Sequence, residues 1–295
     1  MKCELCPRRC AVDRDSQAGV CGITKEVKIA RAALHMWEEP PISGERGSGT
    51  VFFSGCPLHC VYCQNGDISD GRAGKTVTID RLAEIMLELE EKGAHNINLV
   101  TPTHYVHAII PAVRMAREKG LSLPIVYNTS GYERKETIEA LSGTVDVYLT
   151  DFRYITPALA ERYSGAADYP EVAIDALRAM VRTVGEPVFD DDGMMQKGVI
   201  VRQLVLPGYA EEAMAITDLI YRELGDSVYF SIMSQFTPTE HLDKGRFPEL
   251  CRTVAEEEYD RVADHAADIG VRQGFLQEGE AASDSFIPPF DLEGV

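Results

Sequence analysis

The sequence lacks any apolar run near the ~18 residues that a membrane-spanning helix needs, and its opening residues, MKCELCPRRC, have none of the apolar core of a secretory signal. A cytoplasmic protein with no membrane attachment is the expectation. Basic residues are scarce: 29 Lys and Arg stand against 47 Asp and Glu, a formal net charge of −18. A chain this acidic repels phosphate backbones and anionic lipid, and no basic run exceeds Arg8-Arg9, so no nucleic acid is expected as a partner. The acidity itself reads as solubility. No Gly-x-Gly-x-x-Gly follows the first strand of the core, which disfavours a dinucleotide-binding fold. Gly and Pro, 24 and 15 residues, are too ordinary for a collagenous or low-complexity chain. What is left is a globular chain of 295 residues, 45% hydrophobic, long enough to bury a sizeable core.

Cysteine is the residue in excess. There are eight, and in a reducing compartment they are not read as disulfides. Four open the chain: Cys3, Cys6, Cys10 and Cys21. Three more, Cys56, Cys60 and Cys63, crowd one short stretch. Cys251 stands alone, on a predicted helix, as a buried or bystander thiol. Clustered thiols of this kind point to metal.

Residues 1–25 are short and turn-like, a knuckle too small for its own core. Residues 26–37 partly alternate, as a strand or hairpin arm, and 38–49 form a loop rich in Gly and Pro. From Thr50 strands and amphipathic helices alternate. Strands are predicted at 50–55, 96–101, 124–129, 145–152, 199–206 and 228–236. Helices are predicted at 79–92, 106–119, 135–141, 171–184, 211–224 and 256–269, most of them stopped by a Gly, with a helical turn at 158–163. Residues 274–295 read as an irregular tail. Six βα units require a parallel sheet with helices packed outside it. A doubly wound sheet and an incomplete barrel both satisfy that pattern.

The strongest motif is Cys56-Pro57-Leu58-His59-Cys60-Val61-Tyr62-Cys63, directly after the first core strand, where parallel α/β folds carry their active-site loops. Three thiolates spaced four and three apart on one tight loop can hold three corners of a cubane cluster and leave one iron open. A structural zinc loop and an electron-transfer cluster are the plainer alternatives. His59, between the thiols, reads as a loop residue.

This loop, with Tyr62 before the third cysteine, resembles the radical S-adenosylmethionine superfamily. The wider pattern, CELCPRRC with GVCG, then GSGTVFFSGCPLHCVYCQN, NLVTPTHY, YNTSGY, TDFRY and LVLPG, is similar to its poorly characterised branch related to pyruvate formate-lyase activating enzymes. The resemblance covers nearly the whole chain. It implies an α/β fold, a partial (β/α)6 TIM-like barrel at 50–273, preceded by a Cys-rich N-terminal extension and linker at 1–49 and followed by a tail at 274–295. It implies a [4Fe–4S] cluster on Cys56, Cys60 and Cys63 whose open iron chelates S-adenosylmethionine, an electron donor of flavodoxin or ferredoxin type, and hydrogen-atom abstraction by a 5′-deoxyadenosyl radical. The substrate is open, a small molecule or a protein. One alternative is an activase that installs a glycyl radical on a partner enzyme; another is a non-enzymatic iron–sulfur or zinc protein.

Matched motif to motif, the resemblance places further cofactor contacts. Thr101, Pro102 and Thr103 stand where the superfamily has a Gly-Gly-Glu segment for the methionine amino group; with no carboxylate there, the role falls to backbone carbonyls. Asn128 and Ser130 are positioned for ribose or carboxylate hydrogen bonds. Asp151 and Arg153 match an Asp-x-Lys pair, Arg153 holding the methionine carboxylate. Gln235 lines the pocket, and Met233 beside it is packing. Capping and turn chemistry is the competing role for all of these. His104, next to the Thr-Pro-Thr loop, is the histidine best placed for a site, with a structural role equally open.

The set Cys3, Cys6, Cys10 and Cys21 is complete for a closed site, which four thiolates fill with zinc or with a second iron–sulfur cluster. Deleting 1–25 is expected to remove that metal and spare the three-cysteine cluster.

Overall fold

The computed structural model describes residues 2–276 and 288–295. Its elements in chain order are β1 (Val27–His35), α1 (Pro40–Ser43), β2 (Ser48–Phe53), α2 (Gly66–Ser69), β3 (Lys75–Val77), α3 (Ile79–Glu91), β4 (Ile97–Val100), α4 (Val106–Glu118), β5 (Ile125–Thr129), α5 (Lys135–Ala140), β6 (Val147–Asp151), α6 (Pro157–Ser164), α7 (Tyr169–Val184), β7 (Val188–Phe189), β8 (Met195–Leu204), α8 (Ala210–Leu224), β9 (Tyr229–Met233), α9 (Glu256–Asp268) and β10 (Gly274–Leu276). The six strands read from the alternation are β2, β4, β5, β6, β8 and β9. They lie side by side, each parallel to the next.

The order of strands decides between the two architectures that the alternation left open. The sheet runs β10-β9-β8-β6-β5-β4-β2-β1-β3, so every crossover adds its strand on the same side of the last. A doubly wound sheet reverses direction at a switch point; this one never does, and it stays open. It is a partial barrel. The strands are buried on both faces, as parallel strands covered by helices must be. Helix α3 shows why the pattern was readable: Leu82, Ala83, Ile85, Met86 and Leu89 form its buried stripe, and the Thr78 side chain caps its first turn.

Four features go beyond the predicted pattern. β1 pairs antiparallel with both β2 and β3, extending the sheet at one edge. The loop at 38–49 holds the short α1, where Ile42 is fully buried against Val126, Val147 and Ile200 and closes the barrel interior from the N-terminal ends of the strands. The tail expected to be irregular begins as β10, parallel to β9. Its last residues return to β1, with the Ala32 amide donating to Glu293 O at 2.8 Å and the Leu292 amide to Ala30 O at 3.0 Å. Residues 277–287, including the start of the FIPPF stretch, lie outside the described residues. Among the described residues no helix is long and apolar enough to cross a membrane.

Candidate active site

The chain leaves β2 at Phe53 and turns into the cysteine loop through Gly55, whose φ is +85°. A Cβ there would sit 2.6 Å from the Cys21 carbonyl oxygen and 2.5 Å from the Ile23 side chain. Only glycine lets the N-terminal segment approach the loop so closely. The loop is gripped by that segment. The Cys56 amide donates to Cys21 O at 3.2 Å, and His59 Nε2 bonds Val20 O at 2.8 Å. Arg8 donates to Pro57 O at 2.8 Å and Ser164 O at 2.7 Å, and it also bonds Gly165 O. Deletion of residues 1–25, expected to spare the three-cysteine cluster, would take away these backbone partners of the loop.

Cys56, Cys60 and Cys63 open onto one cavity at the C-terminal ends of the strands. Burial, with Cys56 and Cys60 close by, pushes the Cys63 thiol up to about 12, and burial raises Cys56 as well. Thiols so placed ionise only against a positive centre, as a bound metal would be. Among the described residues no three His, Cys, Asp or Glu side chains are placed to hold a single metal ion. Ser164 Oγ, at the end of α6, lies 3.0 Å from Cys60 Sγ, and a line of hydroxyls continues from it: Tyr154 at 2.8 Å, then Tyr62 a further 2.7 Å on.

The same cavity is lined by Tyr62, Thr101, Asn128, Ser130, Asp151, Arg153, Met233 and Gln235, which brings most of the sequence candidates together. Tyr62 offers its ring to the cavity while its hydroxyl is turned to Tyr154. Thr101 is β-branched yet has φ +58°, a strained conformation of the kind that clusters at functional sites. Gln64 Nε2 donates to Gln235 O at 3.2 Å, tying the cysteine loop to the end of β9.

Arg153 shares Asp151 with Arg202: Arg153 Nη2 bonds Asp151 Oδ2, and Arg202 Nε bonds Asp151 Oδ1 at 2.9 Å. Burial opposes the charge on Arg153, but Asp151 and Cys60 outweigh it and hold the guanidinium protonated. Its Nε is buried with no partner. Arg153 lines the cavity, and a guanidinium there is a position for a carboxylate.

Two residues that the sequence reasoning missed complete the network. Arg202 also donates to Glu38 Oε2 at 3.1 Å and to Asn128 Oδ1 at 2.6 Å, and Asn98 Nδ2 donates to Glu38 Oε1 at 2.9 Å. Burial raises the Glu38 carboxyl, against the pull of Arg202. Glu38 lies in a segment read as loop, and Arg202 lies inside a predicted strand. The one available signal was the charge of Arg202 inside an apparently buried strand.

Pro102 and Thr103 are not brought to the cavity. Thr103 Oγ1 donates instead to the buried Glu133, which also takes hydroxyls from Thr129 and Tyr127. His104 is structural: its Nε2 bonds Ser54 O at 2.9 Å, and burial pushes its pKa down to about 3. Cys251, expected on a helix, follows a single turn of 3-10 helix and is exposed.

Of the four N-terminal thiols, Cys10 and Cys21 lie on either side of Gly19. A Cβ on Gly19 would lie 3.3 Å from Cys10 Sγ and 3.4 Å from Cys21 Sγ. Burial works upward on Cys10, but the Val20 and Val12 amides and the Cys3 thiol bring it down. Burial pushes Cys6 up to about 12, with Cys21 and Cys3 adding to it.

Residues 50–190 match the model of the Radical SAM superfamily. The uncharacterised protein MJ0674 of Methanocaldococcus jannaschii is 30% identical over 273 residues, 90% of this chain and 74% of that protein. A second uncharacterised protein of the same organism, MJ0808, is 24% identical over 241 residues, 75% of this chain and 64% of its own length. Among solved structures, Streptococcus suis SuiB bound to S-adenosylmethionine shares the fold with a TM-score of 0.52 at 12% identity. The match covers 76% of this chain and 48% of SuiB, so the chain spans about half of that structure.

Proposed function

The chain belongs to the radical SAM superfamily, and on that premise we propose that Cys56, Cys60 and Cys63 hold a [4Fe–4S] cluster at which S-adenosylmethionine is reductively cleaved. When bound, the cluster supplies the electron that yields a 5′-deoxyadenosyl radical for hydrogen-atom abstraction. The observation that carries this reading is the meeting of three loop thiols and Arg153 in one cavity. Arg153 binds the methionine carboxylate and Asp151 orients Arg153. The strained Thr101 directs its backbone toward the methionine amino group, and Asn128 and Ser130 offer hydrogen bonds to the ribose. Tyr62 and Gln235 line the walls. Cys3, Cys6, Cys10 and Cys21 hold a second centre, either zinc or an iron–sulfur cluster.

The electron comes from a flavodoxin- or ferredoxin-type donor in the cytoplasm, with neither nucleic acid nor membrane involved. The substrate class is left open; the motif resemblance makes a glycyl radical activase, with a protein substrate, the second reading. The test is anaerobic reconstitution followed by dithionite reduction with S-adenosylmethionine. Release of 5′-deoxyadenosine supports the enzyme. A loaded cluster that yields none leaves an electron carrier.

A further inference from the structure

The hydroxyls behind the cysteine loop form a line with a direction. Ser164 Oγ is 3.0 Å from Cys60 Sγ, Tyr154 OH is 2.8 Å from Ser164 Oγ, and Tyr62 OH is 2.7 Å from Tyr154 OH. All three hydroxyl residues are buried. At the far end the Tyr62 hydroxyl lies within hydrogen-bonding reach of the Arg153 guanidinium. Each hydroxyl has one proton to give. A cysteine sulfur that ligates iron is a thiolate and can only accept; a guanidinium can only donate. The two ends therefore fix every bond between them. Ser164 donates to Cys60 and so accepts from Tyr154. Tyr154 in turn accepts from Tyr62, which leaves the Tyr62 oxygen turned to Arg153.

We propose that Ser164, Tyr154 and Tyr62 are positioning residues forming a polarised relay from Arg153 to the Cys60 sulfur, so that the residue assigned to the cofactor carboxylate also sets the reduction potential of the cluster. The inference rests on the proposed cluster. A hydrogen bond to a ligating sulfur withdraws electron density and makes reduction easier, and such bonds are among the main determinants of cluster potential. Bonds aligned in one direction strengthen one another, and the guanidinium at the start adds to the polarisation. For Cys60 the donor is a side chain, whereas Cys56 Sγ takes backbone amides of its own loop, that of Leu58 at 3.4 Å among them.

The experiment is a reductive titration of the reconstituted full-length protein, followed by electron paramagnetic resonance, for wild type, Ser164→Ala and Tyr154→Phe. Iron and sulfide are counted for each. Ser164→Ala removes the terminal donor with little change of volume. Its cluster is expected to be about tenfold harder to reduce at a fixed donor potential, which is a shift of about 59 mV to lower potential for one electron. Tyr154→Phe keeps the ring and leaves the Ser164–Cys60 bond in place but removes the Tyr154 hydroxyl and so cuts the relay, and its shift has the same sign and is smaller. It also serves if Ser164→Ala does not fold. Variants that carry the wild-type iron load at the wild-type potential overturn the relay and leave the proposed function standing. A wild-type protein that assembles no cluster overturns both.

Discussion

Arg153 and Arg202 divide one carboxylate between them, and that division makes Arg153 removable. In Arg153→Ala, Asp151 keeps its 2.9 Å bond to Arg202, so no buried charge is abandoned. A charge-assisted hydrogen bond to a carboxylate is worth roughly 1.5–3 kcal/mol, so affinity for S-adenosylmethionine should fall about tenfold to a hundredfold with iron content unchanged. Calorimetry on the reconstituted variant measures it; unchanged affinity makes Arg153 a structural ion pair. Glu133 is a second residue with a distinct signature. Burial lifts its carboxyl from 4.5 to about 7, opposed by three hydroxyls, and its Oε2 has no partner. The unfolded chain releases this proton near 4.5 and the folded one near 7, so the unfolded state gains from rising pH in that window. Stability is full below pH 4.5, declines by about 3 kcal/mol as pH rises to 7, and is flat beyond. Denaturant unfolding of Glu133→Gln should lack that decline relative to wild type. Parallel pH profiles for the two proteins would show that Glu133 does not titrate in the fold.

At the scale of elements, the contact between residues 1–25 and the cysteine loop governs what mutations there do. Gly55→Ala drives a methyl into the Cys21 carbonyl at 2.6 Å, where the listening partner is backbone and cannot rotate away. It should reduce cluster retention even though all seven cysteines of the two sets remain. Deletion of residues 1–25 should do the same, since Arg8, Val20 and Cys21 leave with it. Iron per chain after anaerobic desalting checks both, and wild-type retention in Gly55→Ala would mean that the loop orders itself. The elements themselves were legible wherever one face of the pattern was apolar, as in α3, where predicted and observed bounds differ by a residue. β1 was legible as a strand or hairpin arm at 26–37, whereas β10 and the returning residues 288–295 were not, because their partners are distant in sequence. The site divides in the same way. Cys56, Cys60 and Cys63 announce themselves by spacing, whereas Glu38 and Arg202 acquire meaning only when the barrel brings them within 3.1 Å. Thr103, two residues beyond Thr101, lies outside the cavity lining, and its side chain is taken up by Glu133.

The whole molecule is an open sheet wound in one direction, with its chemistry at the C-terminal ends of the strands and its opposite end closed by the segment around Ile42. That architecture gives the cavity one well-defined set of walls and concentrates three thiols, two guanidiniums and two carboxylates in it. The central claim is that the three loop cysteines, and not the four N-terminal ones, are where S-adenosylmethionine is cleaved. The direct measurement is 5′-deoxyadenosine released under dithionite by the anaerobically reconstituted Cys56→Ala/Cys60→Ala/Cys63→Ala variant, beside wild type. The account predicts product from wild type and none from the variant, with the N-terminal cysteines intact in both. Substantial product from the variant would contradict it.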